Sequence, residues 1–197
     1  MTTIGFVRHG ITDWNIQGIA QGSADVSLND TGLQQAEALA ERLAREDEWD
    51  RIISSDLARA KETAEIIRKK LNLSVSHFDV RLRERSGGKI EGTTENERIE
   101  KWGADWRTLD LDMENLDDAA ERGISFVEDV LVNFKGQRIL LVSHGALIGL
   151  TLKKLLPEQF TETSLDNTSI TILTNAESKW DCSLYNCTVH LENSKSY

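Results

Sequence analysis

Two histidines in this chain each come directly after an apolar run and directly before a glycine. His9 follows Arg8 near the start of the chain, and His144 follows Ser143 much further along. A neutral imidazole is a nucleophile, and a reference pKa of about 6.5 leaves much of it neutral near pH 7. Arg8 and Arg59 carry guanidinium groups, whose planar paired donors match the oxygens of a phosphate group. Residues of these types could supply a nucleophile and the positive charge that an anionic group such as phosphate requires.

The candidate residues lie where predicted strands end. Short apolar runs predict strands over 3–7, 49–54, 75–78, 137–143, 169–174 and 179–184. Apolar residues at helical spacing predict a helix capped by residue 30 or 31, one capped by residue 55 or 56, and two more over 115–134 and 146–156. This alternation predicts an α/β protein, a three-layer α/β/α sandwich with helices on both faces of a mostly parallel central sheet. Ligands of such sheets bind beyond the carboxyl ends of the strands, where His9, Ser55 and His144 fall.

A segment of different composition, about 80–114, interrupts the alternation of strands and helices. It is polar and rich in glycine, so we expect loops with short helices that form a lid-like insertion. The chain as a whole, 1–197, is predicted to be a single domain. Trp102 and Trp106 have the spacing of a packing pair on one helix. His77 and His190 belong to no motif and are expected to be ordinary surface residues.

Composition excludes several classes of partner. Lys plus Arg total 23 against 33 Asp plus Glu, a net charge of -10, which argues against binding to nucleic acid. No apolar run approaches the roughly 18 residues of a membrane span, and no secretion signal begins the chain, so we expect a cytoplasmic protein. For the same reason Cys182 and Cys187 are expected to be reduced, and the glycosylation patterns at Asn167 and Asn186 are discounted. The oligomeric state is not predicted.

The candidate residues belong to segments that occur, in the same order, in a known family. The segments are Arg8–Asn15, Gln21–Gly22, Ser27–Ala36, Ser54–Ala60, Leu82–Glu84, Glu91–Gly92 and Val142–Gly145. In these the chain resembles the histidine phosphatase superfamily, also called the phosphoglycerate mutase-like family, from Arg8 to about Thr174. Two departures stand out. Ile11 replaces a residue that is commonly acidic, and Arg85–Ile90 replaces a stretch that often contains aromatic residues near the substrate.

The resemblance implies a phosphoglycerate mutase-like fold and a phosphatase of the histidine acid phosphatase type. His9 would be the nucleophile, Glu84 the proton donor and later the base, and Arg8, Arg59 and His144 would contact the transferred phosphoryl group. Further phosphate or substrate contacts are expected from Thr12, Asn15, Gln21, Gly22, Ser55 and Gly145. No metal or other cofactor is expected, because the arginines and histidines supply the positive charge. The expected partner is a small phosphorylated metabolite.

Several alternatives stay open at this point. A phosphoglycerate mutase would use similar residues, although mutases of this family are typically longer and Leu82–Glu84 is closer to the phosphatase branch. A catalytically silent phosphate-binding protein is the alternative from another class. The acid could be another nearby carboxylate (Glu91, Glu95 or Glu97), and Thr12, Asn15 and Gln21 could simply hold their loop.

Overall fold

The computed structural model describes residues 1–46, 48–74 and 77–192. Its strands are β1 (Thr2–Arg8), β2 (Arg51–Ser54), β3 (His77–Phe78), β4 (Arg138–Ser143), β5 (Ile170–Ala176) and β6 (Lys179–Cys187). Its α-helices are α1 (Asp13–Ile16), α2 (Asp30–Leu43), α3 (Ala58–Leu71), α4 (Glu95–Trp102), α5 (Leu116–Asn133), α6 (Gly145–Leu155) and α7 (Val189–Glu192). None of the helices in these ranges is long and apolar enough to cross a membrane.

One sheet joins the strands in the order β3-β2-β4-β1-β5-β6. The pairs β1–β4, β2–β4 and β2–β3 are parallel, whereas β5 runs antiparallel to both β1 and β6. The mostly parallel sheet predicted from the sequence is therefore confirmed. Of the strand predicted over 75–78, His77 and Phe78 form β3, and residues 75 and 76 lie outside the described residues.

Helices cover both faces of the sheet, which confirms the three-layer sandwich. Along β4, Ile139 and Leu141 pack in one apolar cluster with α5 and α6, whereas Leu140 and Val142 pack in a second cluster with α2 and α3. A strand that is buried on both faces of a sheet has an unbroken run of apolar residues, and the apolar run of β4 predicts such a strand.

The sequence predictions are wrong at the start of α3. Neither Ser55 nor Asp56 caps this helix; its N-cap is Leu57, which makes no side-chain capping bond. Asp25 Oδ1 instead accepts a hydrogen bond from the Ala58 N–H at 2.6 Å. The first turn of the helix is thus capped from a distant loop, which no local pattern could indicate.

Three smaller differences concern single elements. The loop predicted after β1 contains the short helix α1. Trp102 and Trp106 do not share a helix: Gly103, at φ 87°, ends α4, and Trp106 starts a separate 3₁₀ turn. His190 is not a surface residue, since only 6% of it is exposed where α7 packs on α2. The remainder of the 80–114 segment has the loops and short helices predicted for it.

Candidate active site

The carboxyl ends of three parallel strands bring the two histidines together. Arg8 at the end of β1 is in register with Ser143 at the end of β4, and Ser54 at the end of β2 is in register with Val142. The residues that follow are therefore neighbours, and the rings of His9 and His144 lie 5.2 Å apart between centroids. The strand-end cluster predicted from the sequence is present in the structure.

His9 is held in one orientation by its own loop. The ring is 2% exposed, and Nδ1 lies 2.7 Å from the Gly10 carbonyl oxygen. A carbonyl only accepts hydrogen bonds, so Nδ1 carries the proton and Nε2 has the free lone pair. Among the described residues no group hydrogen-bonds to Nε2. Burial, with the positive charges of Arg59 and Arg8, holds the pKa of His9 well below 6.5, which keeps the ring neutral at pH 7.

His144 offers a second neutral imidazole with one ring nitrogen engaged. Its Nε2 lies 2.8 Å from the Ser55 hydroxyl oxygen. The same oxygen accepts a hydrogen bond from the Leu57 N–H at 3.3 Å. Its Nδ1 is buried and has no partner within residues 1–46, 48–74 and 77–192. Burial, then Arg59 and His9, hold the pKa of His144 well below 6.5. The structure thus places Ser55, a predicted substrate contact, where it orients His144.

The two arginines keep part of each guanidinium free of protein partners. Arg59 is completely buried, and its Nη1 and Nη2 donate to the carbonyl oxygens of Ala24 at 2.7 Å and Gly22 at 2.8 Å. Arg8 Nη1 donates to the Leu165 carbonyl. The Nε atoms of both arginines are buried without a partner in the part of the chain that the structure describes. Burial lowers the pKa of Arg59 to about 10, so the side chain stays positively charged at pH 7.

Glu84, the predicted acid, lies near enough to this cluster to act electrostatically on Arg8 and Arg59. Its Oε1 accepts hydrogen bonds from the Leu147 N–H at 3.0 Å and the Arg85 N–H at 2.9 Å, and its Oε2 accepts from the Ala146 N–H at 3.2 Å. The carboxylate thus lies on the first turn of α6, directly after His144. It is also the strongest opposite charge acting on both Arg8 and Arg59.

Of the alternative carboxylates, Glu91 lies against the site glycine Gly22, whereas Glu95 and Glu97 are engaged within the 80–114 segment. Glu91 accepts hydrogen bonds from the N–H groups of Ser23 at 2.7 Å and Gly87 at 2.8 Å. Glu95 binds Trp106 and Arg107, and Glu97 caps α4 through Thr94. These contacts bind the 80–114 segment to itself and to the loop after α1.

Thr12 contacts both amide side chains that were predicted to bind phosphate, and it fixes the orientation of Asn15. The Thr12 hydroxyl lies 3.1 Å from both Asn15 Oδ1 and Gln21 Oε1, and the Thr12 N–H donates to Asn15 Oδ1 at 3.1 Å. An N–H can only donate, so Asn15 must turn its oxygen to Thr12 and its NH₂ group away. Thr12 is itself completely buried, and it orients donors that could contact a phosphoryl group.

Two predicted site glycines pack closely against other groups of the site. Gly22 has φ 48°, and a Cβ there would collide with Glu91 Oε1. Gly145, the first residue of α6, would place a Cβ 3.3 Å from Arg8 Nε. A side chain at either position would therefore displace groups of the site.

Sequence reasoning missed Asn167. Its Nδ2 donates to the His9 carbonyl at 3.0 Å, although the two residues are 158 positions apart. The only local signal at this position is a glycosylation pattern, which says nothing about a contact of this kind. No group of three or more His, Cys, Asp or Glu in the described ranges is arranged to hold a metal ion.

Known proteins resemble this chain over nearly its whole length. A family model of the "Histidine phosphatase superfamily (branch 1)" matches residues 4–188. An uncharacterized phosphatase PhoE of Bacillus subtilis is 35% identical, covering 97% of both chains. A metal-independent phosphoserine phosphatase of Arabidopsis thaliana is 32% identical, covering 97% of this chain and 84% of the relative. Among solved structures, a mycobacterial glucosyl-3-phosphoglycerate phosphatase complexed with VO3 superimposes with a TM-score of 0.85 at 28% identity, covering 94% of this chain and 99% of the other.

Proposed function

Since the chain belongs to the histidine phosphatase superfamily, we propose that it hydrolyses small phosphomonoesters through a phosphohistidine intermediate on His9. The observation that carries this proposal is the convergence of unpaired nitrogens at one end of the sheet. His9 Nε2 has a free lone pair, and buried nitrogens of Arg8, Arg59 and His144 have no partner among the described residues. A phosphoryl group would supply an electrophile for the first and acceptor oxygens for the others.

In the first step, His9 Nε2 attacks phosphorus while the bond from phosphorus to the leaving oxygen breaks. Glu84 supplies a proton to the leaving oxygen and is left as a carboxylate. Arg8, Arg59 and His144 donate hydrogen bonds to the phosphoryl oxygens as charge shifts during transfer. The phosphorylated ring carries a proton on Nδ1, and the Gly10 carbonyl accepts its hydrogen bond.

In the second step, water attacks the phosphorus and the bond from Nε2 to phosphorus breaks. Glu84 takes one proton from that water, which restores the acid and releases inorganic phosphate together with neutral His9. The two arginines supply the positive charge throughout, so the mechanism requires no metal ion. The relative named as a metal-independent phosphoserine phosphatase is consistent with this account.

The proposed enzyme is a phosphoric monoester hydrolase of the histidine acid phosphatase type, and its partner is a small phosphorylated metabolite. Two relatives are named for phosphoserine and glucosyl-3-phosphoglycerate, which are both small phosphate esters with a carboxylate. Free thiols at Cys182 and Cys187 fit the reducing environment of the cytoplasm, where we place the enzyme.

The test is hydrolysis of p-nitrophenyl phosphate and a panel of small phosphomonoesters, with and without a chelator. We expect hydrolysis that resists the chelator and is inhibited by vanadate, and acid-labile phosphate on the protein after rapid mixing with substrate. The variant H9A is the matched control and should form no phosphoenzyme. Phosphate transfer between the hydroxyls of a phosphoglycerate, without hydrolysis, would instead identify a mutase. Binding of phosphate without either reaction would identify a silent binding protein.

A further inference from the structure

We propose that Asn167 is a positioning residue of this site. Its amide would fix the Asn15 side chain as a hydrogen-bond donor to the transferred phosphoryl group, and it would hold the backbone of His9 in place. The inference rests on the proposed function, because it assigns Asn167 a role in the same reaction.

The Asn167 amide has one possible orientation. Its Nδ2 lies 3.0 Å from the His9 carbonyl oxygen, and this oxygen can only accept a hydrogen bond. The nitrogen must therefore face His9. The same nitrogen lies 3.3 Å from Asn15 Oδ1, so the two hydrogens of the NH₂ group serve two acceptors.

The orientation of the Asn167 amide in turn determines the orientation of the Asn15 amide. Its Oδ1 accepts from the Thr12 N–H and from Asn167 Nδ2, both of which are donors. The Asn15 NH₂ group is thereby directed away from both, and it has no acceptor within the described ranges of the chain. A donor that is oriented in advance needs no reorganisation when a phosphoryl oxygen arrives, which is the property that transition-state stabilisation requires.

The backbone next to Asn167 binds the same strand end. The Thr168 N–H donates to the carbonyl oxygens of Arg8 at 3.0 Å and His9 at 3.2 Å, and the Arg8 N–H donates to Ser169 O at 3.2 Å. Arg8 also donates from its side chain to Leu165 O. The segment from Leu165 to Ser169 therefore holds both the nucleophile and one phosphate-binding arginine.

Thr168 makes its hydrogen bonds to the end of β1 in a backbone conformation that is unfavourable for threonine. It is completely buried and has φ 55°, a left-handed conformation that β-branched residues rarely adopt. Such strain persists only where the surrounding contacts determine the conformation, and it is concentrated at functional sites. The hydrogen bonds to Arg8 and His9 are the contacts that fix it here.

Two variants test this role. N167A removes the amide, and N167D keeps its shape but replaces the donor NH₂ with an acceptor oxygen that faces Asn15 Oδ1 and the His9 carbonyl. Misalignment of a reacting group can cost on the order of 100-fold in rate, so we expect kcat for p-nitrophenyl phosphate to fall roughly 10- to 100-fold in both. Vanadate should also bind more weakly. N133A is the matched control: among the described residues the exposed Asn133 amide bonds the Asp129 carbonyl alone, within α5, and this variant should keep the wild-type kcat.

Stability and coupling separate positioning from a merely structural role. Urea unfolding of each variant gives its folded fraction, and the loss of kcat should remain after correction for that fraction. If Asn167 acts partly through Asn15, the double variant N15A/N167A should lose less activity than the product of the two single losses. The positioning role of Asn167 would be overturned, with the proposed function left standing, if N167A kept the wild-type kcat and vanadate affinity. A loss of kcat explained entirely by the unfolded fraction would overturn it in the same way. A wild-type protein that neither hydrolyses phosphomonoesters nor forms phosphohistidine would overturn the proposed function as well.

Discussion

Replacing Arg59 with lysine separates the charge of this residue from the shape of its guanidinium group. The side chain is completely buried, and two of its nitrogens bind the carbonyls of Gly22 and Ala24. Its Nε has no partner among the described residues and is available to a phosphoryl oxygen. A lysine keeps the positive charge, but its single ammonium cannot reach two separated carbonyls and a phosphoryl oxygen at once.

The size of the effect follows from the bonds that are lost. A hydrogen bond to a charged group contributes about 1.5–3 kcal/mol, and R59K gives up at least one bond to a loop carbonyl. We therefore expect the free energy of unfolding to fall by about 2 kcal/mol. Loss of one donor to the transition state costs about 10²- to 10³-fold in kcat, and we expect a decrease of this order.

The assay is kcat and KM for p-nitrophenyl phosphate together with urea unfolding of the same preparations. R45K is the matched control, since the Arg45 side chain is 80% exposed, and it should change neither property. An R59K variant with the wild-type kcat/KM would refute the reasoning, because charge alone would then suffice. A fall in stability with unchanged kcat would show that Arg59 holds the Gly22–Ala24 loop without binding the phosphoryl group.

Three further changes test other parts of the site and fold. H9A should abolish turnover and leave the urea midpoint close to that of the wild type; residual turnover would exclude His9 as the nucleophile. E84Q should slow hydrolysis of alkyl phosphates far more than that of p-nitrophenyl phosphate, whose leaving group needs little protonation; equal slowing of both would assign the proton donor elsewhere. Burial, with Arg42, lowers the pKa of His190 from 6.5 to about 4, so the unfolded chain takes up a proton in this range that the folded chain does not. The contribution of neutral His190 to the free energy of unfolding should therefore be fully present above pH 6.5. The free energy of unfolding should fall by at most about 3 kcal/mol on account of His190 as the pH drops to 4. Urea titrations should show a smaller decrease in H190Q, and an unchanged decrease would contradict this assignment.

The part of the site carried by single strands was predictable from the sequence. Arg8, His9 and His144 follow apolar runs that are buried on both faces of the sheet, and parallel pairing places such strand ends side by side. Arg59 follows the end of β2 by one turn of α3, so its position depends on the same edge. The local pattern and the sheet geometry agree at these residues.

The parts that depend on distant segments could not be predicted in this way. Asp25 caps α3 through the Ala58 N–H, and Asn167 binds the His9 carbonyl, from positions that have no periodic relation to their partners. His190 is polar and lies near the end of the described chain, but packing of α7 on α2 buries it. Such contacts arise only when the tertiary fold is formed, and a single sequence carries no local record of them.

The proposed site brings two arginines together beside His9 in a chain whose net charge is -10. Arg59 is buried and Arg8 half-buried beside His9; burial of the ring, and then the same two charges that would bind a phosphoryl group, hold the pKa of His9 well below 6.5. The charges that would bind the phosphoryl group therefore also help burial to keep the nucleophile neutral. A phosphoryl group that neutralises the arginines would weaken their effect on His9, yet by then Nε2 would already face phosphorus with its lone pair.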